Sequence, residues 1–143
     1  MRYYPIFLDL QDEPVLVAGG GKVALRKVKG LLEAGARVTV VAPRVEPELE
    51  AMPITLLRRK VRPADLAGAY LAFTATDDRS ANHRIAQAAK RRGIPVNVAD
   101  AAGECDFLVP SRIVKGDLQI AVSTGGRSPR RAIEVRNRIE RML

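Results

Sequence analysis

Pro14-Val15-Leu16-Val17-Ala18-Gly19-Gly20-Gly21-Lys22-Val23-Ala24 carries the reading of the whole chain. An apolar run of strand length passes directly into G-x-G-x-x-A, and beyond it the apolar residues change to helical spacing. Gly19 permits a tight turn, Gly21 lets backbone approach a pyrophosphate with no Cβ between them, and Ala24 is small enough for a helix to pack closely on the strand. Lys22 and Val23 open that helix, whose free N–H groups and positive dipole end suit a phosphate. Taken alone, the pattern also describes a plain glycine-rich bend between strand and helix, so the flanks decide.

Downstream, Ala24, Val28, Leu31 and Leu32 recur at helical spacing, and Gly35 stands where a glycine ends a helix. Arg37-Val38-Thr39-Val40-Val41 then reads as a second buried strand, which completes a compact βαβ unit of about thirty residues. At the end of that strand a carboxylate would hold the adenosine ribose of NAD, but Ala42-Pro43-Arg44 stands there instead. Arg44 reads either as a partner for the 2′-phosphate of NADP or as a solvated loop arginine, and the residues leave NAD and NADP both open.

Residues 54–57 read as a third strand and 69–75 as a fourth that ends in Thr76-Asp77-Asp78. In a doubly wound sheet, ligands lie at the carboxyl ends of the strands, so Thr74, Ala75, Thr76 and Asp77 are expected to line the cofactor cleft. Asp77 or Asp78 equally suits the N-cap of a helix predicted over 82–92. Gly93 ends that helix, and a fifth strand over 94–99 delivers Asp100 at its tip, where a parallel sheet presents its active site. Asp100 is the candidate catalytic carboxylate, with a structural aspartate at a turn or cap the equal alternative on position alone, whereas His83 reads as a partly exposed polar residue. Next, 112–123 predicts a hairpin around Lys115-Gly116-Asp117. Ser128-Pro129 starts a last helix that runs to Met142 with an Ala132, Val135, Ile139, Met142 stripe. Glu134 with Arg138, and Arg136 with Glu140, are spaced for ion pairs. The expected architecture is a Rossmann-like α/β domain over 1–107 with a doubly wound parallel sheet, then a hairpin-plus-helix segment over 108–143. That segment lacks neighbours to bury both its faces, which predicts a homodimer built mainly through it.

A chain of 143 residues, 47% of them hydrophobic, can bury one domain core and a short appendage. It contains no run of eighteen apolar residues and its start lacks signal-peptide features, so a cytoplasmic protein is expected with no membrane partner. The single cysteine, Cys105, excludes an internal disulfide and reads as a small buried side chain, and no residue cluster suggests a metal site. The net charge of +8 is concentrated in residues 112–143, which hold eight basic residues against three acidic ones. Aromatic platforms are scarce and no nucleic-acid-binding motif appears, which favours a small carboxylate-rich ligand over nucleic acid, with a merely solvated basic surface as the other reading.

Several motifs in order make the chain resemble one family, the N-terminal domain of siroheme synthase, also met as a stand-alone precorrin-2 dehydrogenase. They are Tyr4-Pro5-Ile6-Phe7-Leu8-Asp9-Leu10, Gly19 to Lys27, Ala75-Thr76-Asp77-Asp78, Asn97-Val98-Ala99-Asp100, Phe107-Leu108-Val109-Pro110-Ser111, and Ser123-Thr124-Gly125-Gly126-Arg127-Ser128-Pro129. The resemblance implies oxidation of precorrin-2 to sirohydrochlorin, with NAD as hydride acceptor; some members also insert ferrous iron. It carries cofactor contacts onto Gly21, Lys22, Val23, Pro43 and Arg44, the key aspartate onto Asp100, and a substrate-orienting hydroxyl onto Thr124. Ser123, Gly125 and Arg127, with Arg130, are the further candidates for the substrate's acetate and propionate groups. Longer members continue with another helical segment and, when fused, a methyltransferase domain. The sequence ends at Leu143, which leaves open both iron insertion and whether this is a piece of a longer protein. Two other readings stand beside this one: a nucleotide-sensing module without catalysis, which would not need Asp100 or Ser123 to Gly126, and a nucleic-acid binder using the basic C-terminal third.

Overall fold

The computed structural model describes residues 2–143. Residues Ile6–Phe107 form one compact unit around a five-stranded, wholly parallel sheet. Along the chain come β1 (Pro14–Ala18), α1 (Lys22–Glu33), β2 (Arg37–Val41), α2 (Pro47–Glu50), β3 (Thr55–Leu57), β4 (Leu71–Thr74), α3 (Arg79–Arg91) and β5 (Val96–Val98). The strand order is β3-β2-β1-β4-β5. The chain thus winds outward from β1 to β3, returns across β1, and winds the other way through β4 and β5. The reversal between β1 and β4 opens a crevice at their carboxyl ends, the place where such sheets take ligands.

Burial on both faces explains why the central strands read as continuous apolar runs. On one face Val15, Val17, Val38, Val40 and Phe73 pack against Ala24, Leu25, Val28 and Leu31 of α1. α3 lies along β4 and β5 and buries Ile85, Ala86, Ala88 and Ala89. Its start differs from the expectation of residue 82: the Asp78 carboxylate accepts the Ala81 N–H at 3.1 Å, so the helix begins at Arg79. The polar pair Arg79-Ser80 hides that first turn from an apolar periodicity. β4 and β5 are shorter than expected, because their outer residues leave the ladder at the sheet ends.

Residues 2–5 and Leu108–Leu143 form the second unit. β6 (Ser111–Lys115) and β7 (Leu118–Val122) make an antiparallel hairpin, and α4 (Pro129–Met142) packs on both strands. Gly116 takes the left-handed conformation that the two-residue turn requires, φ +58°. Ser128 caps α4 through the Arg131 N–H at 3.2 Å. Ile113 and Ala132 are buried, but Met142, expected on the apolar stripe, is 83% exposed at the end of the helix. Glu134 pairs with Arg130 on the preceding turn, and Arg136 with Glu140, each at 2.9 Å. No helix among the described residues is long and apolar enough to cross a membrane.

Candidate dinucleotide site and its carboxylate

The three glycines of the turn have three different surroundings. Gly19 adopts φ +126°, and a Cβ there would lie 2.3 Å from the Ala75 carbonyl oxygen, so the exit of β1 packs directly on the exit of β4. The Ala75 N–H donates to the Ala18 carbonyl at 2.7 Å and fixes that approach. A Cβ on Gly20 would lie 2.2 Å from the Arg44 carbonyl oxygen. At Gly21 nothing stands within 4 Å of the Cβ position. α3 and α4 are capped by their own Asp78 and Ser128, whereas α1 opens on Gly21 with no side-chain cap and no acid in its first turn. Free N–H groups beside open space, with the helix dipole behind them, fit a pyrophosphate. Ala24 is fully buried beneath the turn, while Lys22 and Val23 are exposed on it.

Pro43 and Arg44 are exposed in the loop after β2, whose backbone rests on the glycine turn. Glu46, which no sequence pattern marks, is drawn to the same place: its N–H donates to the Gly20 carbonyl at 2.7 Å. It lies beyond the strand-end position where a ribose-binding carboxylate is sought, so only the path of the loop reveals it.

Across the crevice, a buried amide joins two strand exits. Asn82 is 1% exposed. Its Oδ1 accepts the Thr76 N–H at 3.1 Å and the Thr76 hydroxyl at 2.6 Å, and its Nδ2 donates to the Thr76 carbonyl at 3.0 Å and to Asp100 Oδ1 at 3.5 Å. Thr76 follows β4 and Asp100 follows β5, so one side chain ties both loops together. Asp77 is exposed between Thr76 and the helix cap. Arg79 Nη1 lies 3.8 Å from Asp100 Oδ1, and Nη2 pairs with Glu104. Glu104 also meets His83 Nδ1 at 3.2 Å. Burial pushes the Glu104 carboxyl up, but hydrogen bonds from His83 and Arg79 outweigh it and hold the group below the usual 4.5. Sequence reasoning misses Arg79, Asn82 and Glu104. The one available signal is an asparagine on the alanine-rich face of α3.

Below the β5 exit, Lys27 Nζ donates to Asn97 Oδ1 at 3.1 Å and lies 5.4 Å from the Phe73 ring centroid. Burial holds its ammonium below the usual 10.5. Cys105 is buried, with its sulfur accepting the Val98 N–H at 3.1 Å and donating to the Val98 carbonyl at 3.2 Å. These contacts tie the 105–107 segment to β5. No group of three metal-ligating side chains occurs among the described residues.

In the second unit, the Thr124 hydroxyl accepts the Ser128 N–H at 2.9 Å and donates to the Ser128 carbonyl at 3.0 Å. Ser123 Oγ accepts the Gly125 N–H at 3.1 Å. Gly125 and Gly126 both have positive φ, +65° and +79°, in the turn before α4. Arg127 is exposed on it, and the Tyr3 ring lies 3.6 Å from the Gly125 Cβ position.

A family model for NAD(P)-binding domains matches residues 6–111, and one for the central part of the sirohaem biosynthesis protein matches residues 115–142. Among solved structures, SirC, a precorrin-2 dehydrogenase, superposes with a TM-score of 0.84 at 31% identity over 99% of this chain and 71% of its own. The chain belongs to the siroheme synthase and precorrin-2 dehydrogenase family. Siroheme synthase of Methylococcus capsulatus is 50% identical over 98% of the chain, and that of Methylobacillus flagellatus 45% identical over all of it. The chain spans 30% and 32% of those two proteins. The expected doubly wound fold and its NAD(P)-binding domain are both established by these matches.

Proposed function

We propose that this chain oxidises precorrin-2 to sirohydrochlorin, with NAD taking the hydride. One hydride and one proton leave the macrocycle, which yields NADH and a released proton. The residues around Gly19 and Gly21, with Lys22, Val23, Ala24, Pro43 and Arg44, hold the dinucleotide; Thr76 and Asp77 line its cleft; and Asp100 accepts the proton. The observation that carries this reading is the Thr76–Asn82–Asp100 connection, because it sets a carboxylate at the same sheet edge as the glycine turn. A base at that edge has a use only when chemistry follows binding. The substrate's acetates and propionates are assigned to Ser123, Thr124, Gly125 and Arg127, on the segment whose basic excess suits a polyanion. Exposed Val109, Val114, Leu118 and Ile133 on that segment support a homodimer. The lone unpaired thiol suits a reducing compartment, and we assign the protein to the cytoplasm.

The test is to mix protein, precorrin-2 and NAD and follow NADH together with the sirohydrochlorin spectrum. Asp100→Asn should bind NAD normally and lose turnover by about 10²–10⁴-fold, the usual contribution of a positioned base. An unchanged rate refutes the assignment of Asp100. NAD binding with no turnover of precorrin-2 by the unaltered protein would identify a nucleotide-sensing module instead. Ferrous iron, added as a second substrate, tests chelation.

A further inference from the structure

Asp100 is 45% exposed at its side chain and follows the last residue of β5 by two positions. A half-exposed aspartate on a loop samples several rotamers, yet a general base must stand in one place relative to the atom it deprotonates. What restrains it comes from a single helix turn. Arg79 and Asn82 are three residues apart on α3, on the side that also carries His83, and that turn is pinned by the Asp78 cap. Both contacts fall on the same oxygen: Asn82 Nδ2 at 3.5 Å and Arg79 Nη1 at 3.8 Å meet Oδ1, and Oδ2 receives neither. Each restraint is itself restrained. Asn82 has its remaining valences on the backbone and hydroxyl of Thr76, and Arg79 is anchored through Glu104, whose Oε1 also takes His83.

From this geometry we propose that Arg79 and Asn82 are positioning residues that clamp Asp100 by Oδ1 and leave Oδ2 directed to the reacting proton. The proposal rests on Asp100 being the base. The spacing is loose, as catalytic hydrogen bonds commonly are before substrate binds, and closes in the substrate complex. Arg79 supplies the charge and the reach; Asn82 links the carboxylate to the loop that lines the cofactor cleft. His83 and Glu104 act one step further out, by holding the guanidinium.

The decisive measurement uses Arg79→Gln, Arg79→Lys and Asn82→Ala, each alone and each combined with Asp100→Asn. Arg79 is 47% exposed at its side chain, so its variants should keep the fold. Arg79→Gln is expected to lower kcat about tenfold with KM for NAD unchanged, and Arg79→Lys to recover most of that loss. Asn82→Ala should lower kcat at least as much and also weaken NAD, because Thr76 is released with it. In the Asp100→Asn background neither change should lower kcat further, since the group being positioned is gone. Equal losses in both backgrounds would overturn the clamp while leaving Asp100 as the base. An Asp100→Asn enzyme of full activity would overturn the base assignment and the clamp together. Where the double variants are too slow to measure, the lysine decides: recovery of kcat at constant KM supports the clamp, and a parallel fall in kcat, NAD affinity and melting temperature in both Arg79 variants refutes it.

Discussion

Substituting alanine at two glycines of one turn should separate folding from binding. At Gly19 the new Cβ would lie 2.3 Å from the Ala75 carbonyl oxygen and 2.6 Å from its carbon, where ordinary contact begins near 3.4 Å. That neighbour is backbone and cannot rotate away. The exits of β1 and β4 must part by about an ångström, which weakens the hydrogen bond from Ala75 N–H to the Ala18 carbonyl at a cost of about 1 kcal/mol. Alanine at φ +126° adds about 1–3 kcal/mol. The total of about 2–4 kcal/mol corresponds to a fall in Tm of about 8–16 °C, at roughly 4 °C per kcal/mol for a chain of this size. Gly21 is the opposite case, with φ −85° and ψ −166°, extended backbone that any residue adopts, and nothing within 4 Å of the Cβ position. Alanine there loses some of glycine's preference for the N-cap and gains about as much from a less flexible unfolded chain, so Tm should move by less than about 3 °C. Its methyl group, however, would occupy the open space through which the proposed pyrophosphate would reach the α1 amides. Losing one charge-assisted hydrogen bond of about 2 kcal/mol raises the NAD Kd roughly thirtyfold. Differential scanning calorimetry and an NAD titration on both variants are sufficient. If Gly21→Ala binds NAD as tightly as the parent, the cradle is refuted, and if Gly19→Ala keeps the parental Tm, the packing argument is refuted.

Three other outcomes follow from the same structure. The unaltered protein should prefer NAD to NADP by at least about tenfold, because the Glu46 backbone is held on the glycine turn and a carboxylate carried there would repel a 2′-phosphate, and Glu46→Gln should narrow the gap; an unchanged gap would remove Glu46 from coenzyme selection. Arg59 grips Asp65 through two hydrogen bonds of 2.9 and 2.6 Å and holds its carboxyl below the ordinary 3.8. A depressed folded value gives stability that is complete above 3.8 and lost as pH falls through the folded value, so Asp65→Asn should lower Tm at neutral pH and the deficit should shrink in acid; a deficit independent of pH would contradict this. Sedimentation should find a dimer at micromolar concentration, and aspartate at Val114 and Leu118 together should dissociate it, whereas a stable parental monomer would refute the proposed interface.

The parts of this molecule that could be read in advance are those whose partners lie close in sequence or are required by the fold class. β1 and β2 run over the residues expected of them, because strands buried on both faces must be apolar throughout, and the glycine turn between β1 and α1 declares its own conformation. Asp100 stands out because a parallel sheet gathers the ends of its strands at one edge, so a polar residue just past an apolar strand is placed by class alone. Its supports are hidden for the same reason that they work. Asn82 binds Thr76 and Asp100, six residues back and eighteen ahead, and a periodicity count records it as a polar interruption of α3. Arg79 belongs to a helical turn created by the Asp78 cap, and Glu104 sits on a single 3₁₀ turn, Ala102–Glu104, with no period to betray it. Glu46 reaches the glycine turn only because the loop after β2 folds back on Gly20. Each of these residues acts between loops that strand order brings together. Local pattern can name the edge of the sheet where ligands are expected, but the contacts among the loops at that edge are set by which loops meet there, and that is a property of the assembled sheet.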